Sequence, residues 1–167
     1  AYNSNAVTAT GVGTWSKVSG PGTLSFGTGA NAPDQTITVS AYGTYVLQWT
    51  DVNLTCSSSD NITVNFYQTP TTANAGADIF QCNTSTFTLV GNSAVVGSGV
   101  WSVFGVNPGV TITTPTNATS TVTGLTAGNT VTLRWTISNG TCTASTDDVV
   151  LRNDVQPVAD ADELNAG

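Results

Sequence analysis

The chain has 167 residues and a formal charge of -7, with ten acidic residues, three basic ones (Lys17, Arg134 and Arg152), no histidine and no methionine. Three cations cannot neutralise a row of phosphates, so nucleic acid and anionic membrane are poor partners, and neither nucleic-acid binding nor membrane insertion of this segment is expected. No run of about 18 apolar residues is present to span a bilayer, and Thr, Ser and Gly outweigh charge, a balance met in outward-facing β-rich repeats whose strands carry Thr on the solvent side.

In chain order, the first strand signal is GVGTWS, residues 11–16, followed by a Pro21-Gly22 turn. A longer strand lies in VLQWTDVNLTC, residues 46–56. Short strands are predicted near 86–90, 99–104, 110–113 and 119–125, separated by Gly, Pro and Asn clusters. The clearest is VTLRWTISNG, in which Val131, Leu133, Trp135 and Ile137 alternate with Thr132, Arg134, Thr136 and Ser138. That period of two marks a sheet with one buried face. Asn139-Gly140 then predicts a tight turn into TCTASTDDVVL and a closing hairpin. No helical period appears, and six or seven short strands predict a Greek-key sandwich.

Two of these segments say the same thing. TLRWTISNGTC (132–142) and VLQWTDVNLTC (46–56) are identical at six of eleven positions. Sliding the chain on itself by 86 residues superimposes Gly13 on Gly99, Trp15 on Trp101, Trp49 on Trp135 and Cys56 on Cys142, so all four tryptophans pair off. The expected fold is therefore all-β, as tandem β-sandwich modules with an 86-residue repeat. Its divisions are a module over 1–69 lacking its first strand, a complete module over 70–155, and a linker or start of a further module over 156–167. Ala73 and Ala75 recur as Ala159 and Ala161 at the same offset. The segment Pro157, Val158, Ala159, Asp160, Ala161, Asp162 is thus the opening of another copy, or a strand donated to a neighbouring molecule. With no leader at its start, the sequence reads as a mature or excised piece.

Cys82 and Cys142 lie 60 residues apart with Trp101 between them. The order Cys, Trp, Cys suits a disulfide pinning an early strand to a late one beside a core tryptophan, stabilising by roughly 4 kcal/mol; two buried thiols are the alternative. The partner of Cys56 is expected upstream of Ala1 or in another subunit. The inward phase of Trp49 and Trp135 predicts core packing, with Trp15 and Trp101 beside them. A sugar-stacking platform on Trp15 and Trp101 is the competing use.

ANAGADIFQC (73–82), LVGN (89–92), GSGVWSV (97–103) and LRWTISNGTCTASTDDVVL (133–151) together resemble the PKD-like or Ig-like repeats strung through large secreted or cell-surface adhesins of Bacteroidota-type bacteria. In that family A-x-A-G-x-D-x-x-x-C opens a module, G-x-W-S follows and W-T-x-x-N-G-x-C closes it. This chain departs at Asp162, where the opening Gly is expected, and at Leu54, which stands for the turn Gly. The resemblance implies an exported, extracellular, mainly architectural protein: stalk, adhesin segment or filament.

The site chemistry is sparse. With no histidine, general-base and cysteine catalysis both lack their usual partner, so no enzyme is expected. Asp154, Asp160 and Asp162 fall at the expected module junction, where oxygen ligands would suit calcium; a solvated acidic linker is the alternative. Expected partners are adjacent modules or identical subunits placed head to tail. The competing class is a carbohydrate- or protein-binding sandwich.

Overall fold

The structure, a computed structural model, describes residues 2–6 and 11–159. The chain divides into two compact units, residues 1–68 and 69–167. Among the described residues there is no helix, and so none long and apolar enough to cross a membrane.

Unit 1 comprises β1 (Tyr2–Asn5), β2 (Val12–Ser19), β3 (Leu24–Phe26), β4 (Asp34–Val39), β5 (Gly43–Asn53) and β6 (Cys56–Phe66). They form two antiparallel sheets ordered β1-β4-β3 and β2-β5-β6. Ile37 from one sheet and Trp15, Tyr45, Leu47, Trp49 and Val64 from the other share a single core, which makes the unit a sandwich. Tyr45, Leu47 and Trp49 alternate inward along β5, so one residue of slip would turn the whole set to solvent. The Gly-x-Trp motif follows from this packing. A Cβ at Gly13 would stand 1.8 Å from Cζ2 of Trp49, so only glycine leaves the indole its place beside Trp15, 5.2 Å away between ring centres.

Unit 2 repeats the plan with one strand more. Its elements are β7 (Ile79–Cys82), β8 (Thr86–Thr88), β9 (Ser98–Phe104), β10 (Thr111–Ile112), β11 (Thr121–Thr123), β12 (Asn129–Ser138) and β13 (Ser145–Asp154). The sheets are β10-β11-β8 and β7-β13-β12-β9, antiparallel except for β7, which runs parallel to β13. Phe87 and Val122 meet Val131, Leu133, Trp135, Val149 and Leu151 in a core larger than that of unit 1. Gly99 repeats the role of Gly13, its missing Cβ lying 2.1 Å from Cζ2 of Trp135. Asn153, buried in this core, is fully engaged: it accepts from Thr84 N–H and donates to the carbonyls of Thr84 and Leu125.

The hairpin turns depart from expectation. The tight one belongs to unit 1, where Asn53 faces Cys56 across Leu54-Thr55 and Leu54 takes a φ of +55°. In unit 2, β12 stops at Ser138 and β13 starts at Ser145, so Asn139-Gly140 opens a wider connection in which Cys142 N–H donates to the Asn139 carbonyl. The bonds made inside the loop, not the Asn-Gly pair alone, set its length.

Candidate functional site

Among the described residues β7 has no counterpart in unit 1, and the segment before it is held along the length of β13. Ala73 donates its backbone N–H to Ser145 Oγ at 2.9 Å, and Ala75 donates to Asp147 Oδ2 at 2.8 Å. Farther on, Val150 N–H donates to Asp78 Oδ1 at 2.8 Å, and Ile79–Cys82 then pair with Leu151–Asp154. Each of these contacts joins residues 72 apart, so residues 73–82 lie in one continuous parallel register. Ala73 and Ala75 are buried in the core beneath. Asn92 locks the arrangement. It accepts Asn74 N–H at Oδ1 and donates to the Thr72 carbonyl, while its own carbonyl takes the Trp135 indole N–H at 3.2 Å.

The same surface in unit 1 carries no strand among the described residues. Ser145 faces Ile137 and Asp147 faces Trp135 in unit 2; Ser58 faces Asp51 and Asp60 faces Trp49 in unit 1. Ser58 and Asp60 therefore reproduce both side-chain acceptors at the equivalent positions. Among the described residues no strand lies outside β6, and Cys56 through Asn61 are all exposed. A cleft of about 210 Å³ opens there, lined by Trp49, Asp51, Ser58, Ser59 and Asp60. Trp49 Nε1 and Asp51 Oδ1 are buried and have no hydrogen-bond partner. Leaving a buried polar atom unpaired costs about 1–3 kcal/mol, so these two atoms lower the stability of unit 1 unless water reaches them. Asp51 stands where unit 2 has the core residue Ile137.

The strongest charge pair lies on the β12–β13 ladder. Arg134 donates from Nε and Nη2 to both oxygens of Asp148, at 2.7 and 2.8 Å, and its guanidinium covers Phe104 at 3.7 Å. These hydrogen bonds hold the Asp148 carboxyl below the ordinary aspartate value and raise Arg134.

The four tryptophans are 4%, 7%, 2% and 1% exposed in chain order, paired as Trp15 with Trp49 and Trp101 with Trp135. None offers a face to a sugar. The proposed Cys82–Cys142 disulfide is corrected by the structure: the two are not bonded to one another. Cys82 pairs with Asp154 at one end of β13, whereas Cys142 lies in the connection preceding Ser145 at the other. The ten residues of β13 separate them by about 30 Å at 3.3 Å per residue, far beyond the span of a bridge. Cys56 is exposed at the β5–β6 turn. Of the calcium candidates, Asp154 is engaged by Arg152 at 2.9 Å, and Asp160 and Asp162 lie outside the described residues. No group of three His, Cys, Asp or Glu suited to a metal occurs among the described residues. In the strand-donor segment, Pro157, Val158 and Ala159 leave β13 exposed, while Asp160, Ala161 and Asp162 are outside the described residues.

Sequence reading alone passed over Ser58, Asp60 and Asp51. Matching the tryptophans in sequence puts SSSD (57–60) on TAST (143–146), and only the strand register, one residue further on, brings it to ASTD (144–147).

The chain matches no known family and no curated protein. Among solved structures it is similar to the PKD domain from KIAA 1837 protein, at 23% identity and a TM-score of 0.43, covering 53% of this chain and 92% of that one. It is also similar to human protocadherin-24 EC1-2, at 14% identity and a TM-score of 0.40, covering 87% and 82%. A third likeness is to domains 4-9 of the surface layer protein SbsC, at 19% identity and a TM-score of 0.35, covering 92% of this chain and 24% of that one. What the strand pairing and shared cores define is an all-β protein of two sandwich units.

Proposed function

We infer that the chain is a structural repeat segment of an extracellular protein, part of a stalk, surface adhesin or filament of the Bacteroidota type, and that it carries no catalysis. The supporting observation is the duplication: two units share one plan, down to the Gly-x-Trp packing, and each buries its own core. Units that fold locally and repeat are suited to spanning distance, because stability accrues unit by unit. The weakly charged, Thr-rich surface and the absence of histidine favour the same reading. Its partners are adjacent modules or identical subunits, with the residues after β13 setting the junction and acidic Asp154, Asp160 and Asp162 available there to calcium. Antibody raised against the chain is expected to label intact, unpermeabilised cells of the source organism or material shed from them. Antigen found only after lysis overturns the reading.

A protein-binding role is the second reading, favoured by the exposed polar face of Cys56 through Asn61 on β6. The buried tryptophans weigh against carbohydrate as the ligand.

A further inference from the structure

Five Asn-x-Ser/Thr triplets occur in the chain, at Asn53, Asn61, Asn83, Asn117 and Asn139, and the architectural role uses none of them. We propose that Asn117 is an N-glycosylation site, its carboxamide taking a glycan from a polyprenyl-diphosphate-linked donor through a transferase that acts on the folded chain. The proposal rests on the extracellular reading above, since N-glycans are carried by exported chains.

The loop joining β10 to β11 presents this triplet in a fixed turn. Ala118 anchors it: its carbonyl accepts the Trp101 indole N–H at 3.2 Å and the Gly91 N–H at 3.0 Å. Asn117 donates its backbone N–H to the Thr114 carbonyl and accepts Ser120 N–H at its own. Ala118 is half-buried, and Asn117 and Thr119 are exposed on either side of it. Asn117 Oδ1 then accepts both the N–H and the hydroxyl of Thr119, at 3.0 and 3.1 Å, an Asx turn that fixes the carboxamide. Its Nδ2 donates to nothing among the described residues. Two donors on Oδ1 stabilise the imidate that forms when Nδ2 loses a proton, because hydrogen bonds to a charged form favour it. In the transfer, Nδ2 bonds to the sugar C1 as the C1–O bond to the diphosphate breaks. The amide proton passes to a base of the transferase and polyprenyl diphosphate leaves, with no change of oxidation state.

The other four triplets lack this arrangement. Asn61 and Thr63 are extended in β6, paired with Gln48 and Val46, so no turn forms between them. Asn53 faces Cys56 across the tight turn, and among the described residues no bond joins its side chain to Thr55. Asn83 donates Nδ2 to Gln156 Oε1 at 3.5 Å, and Asn139 is half-buried. At the 86-residue offset Asn117 falls on Asn31, whose amide is turned onto the Gly13 carbonyl and Thr14 Oγ1, and Thr119 falls on Pro33, so this triplet is not repeated.

Glycopeptide mass spectrometry of the protein isolated from its source tests this. A glycan localised to Asn117 by electron-transfer fragmentation is expected, with Asn53, Asn61, Asn83 and Asn139 bare. Produced in the same cells, Thr119→Ala is expected to lose the glycan and Thr119→Ser to keep it, which assigns the selection to the hydroxyl seated on Oδ1. A circular dichroism spectrum unchanged from wild type shows that both variants are folded. A bare Asn117 in the native protein overturns the proposal, and glycan shared evenly among the five triplets overturns the selection of Asn117 by its turn. A chain that labels at the cell surface with Asn117 bare fails this proposal alone and leaves the architectural reading standing.

Discussion

Leu54 adopts a φ of +55° at the tight turn of unit 1, a conformation in which its Cβ crowds the backbone. Its side chain is 94% exposed and packs on nothing that would be lost. Leu54→Gly is therefore expected to stabilise unit 1 by about 0.5–1 kcal/mol, the relief of strain exceeding the added chain entropy; thermal denaturation measures it. Gly99 presents the opposite case. Its φ is unremarkable, yet a Cβ there would stand 2.1 Å from the Trp135 ring, with Trp101 packed against that ring at 5.0 Å. Gly99→Ala is expected to cost about 1–3 kcal/mol by forcing the pair apart, with loss of near-ultraviolet circular dichroism from the displaced indoles. At this scale glycine acts once through backbone freedom and once through the space it leaves.

Among the elements, β12 and β13 carry the pH dependence that can be assigned. Asp148 is held below its ordinary value of 3.8 chiefly by the Arg134 hydrogen bonds. A carboxylate depressed in the folded state contributes stability above its unfolded value, and that contribution is lost as pH falls through the folded one. Unit 2 is expected to lose stability below about pH 4 in wild type, and Asp148→Asn to flatten that part of the profile; a small effect is anticipated because the pair is about one-third exposed. β5 and β12 were legible in the sequence because one face is buried, which imposes alternation on Tyr45, Leu47 and Trp49 and on Val131, Leu133, Trp135 and Ile137. Strand direction was not. Had β7 run antiparallel to β13, Cys82 would have lain near the turn that holds Cys142; the parallel register sends it to the far end. Local pattern encodes which face a residue occupies but not which way its strand runs. The acceptor positions Ser58 and Asp60 were hidden for a related reason, since they look like ordinary polar strand residues until the equivalent strand is seen seated on Ser145 and Asp147. Cys82→Ser is accordingly expected to leave the melting of unit 2 unchanged within about 0.5 kcal/mol, with or without reductant, where a bridge of that loop length would have forfeited roughly 4 kcal/mol.

For the whole molecule, the two units differ in how completely each buries its core. Among the described residues six buried apolar side chains form the centre of unit 1 against fourteen in unit 2, and the unit 1 cleft leaves Trp49 Nε1 and Asp51 Oδ1 unpaired. Hydrophobic stabilisation scales with area removed from water, so unit 1 is the weaker partner. Scanning calorimetry is expected to resolve two transitions, the lower belonging to unit 1. For a domain of 60–100 residues each kcal/mol of stability shifts the midpoint by about 4–8 °C, which separates the two transitions. A single transition, or an upper one belonging to unit 1, would mean that core size does not set the order in which the units melt.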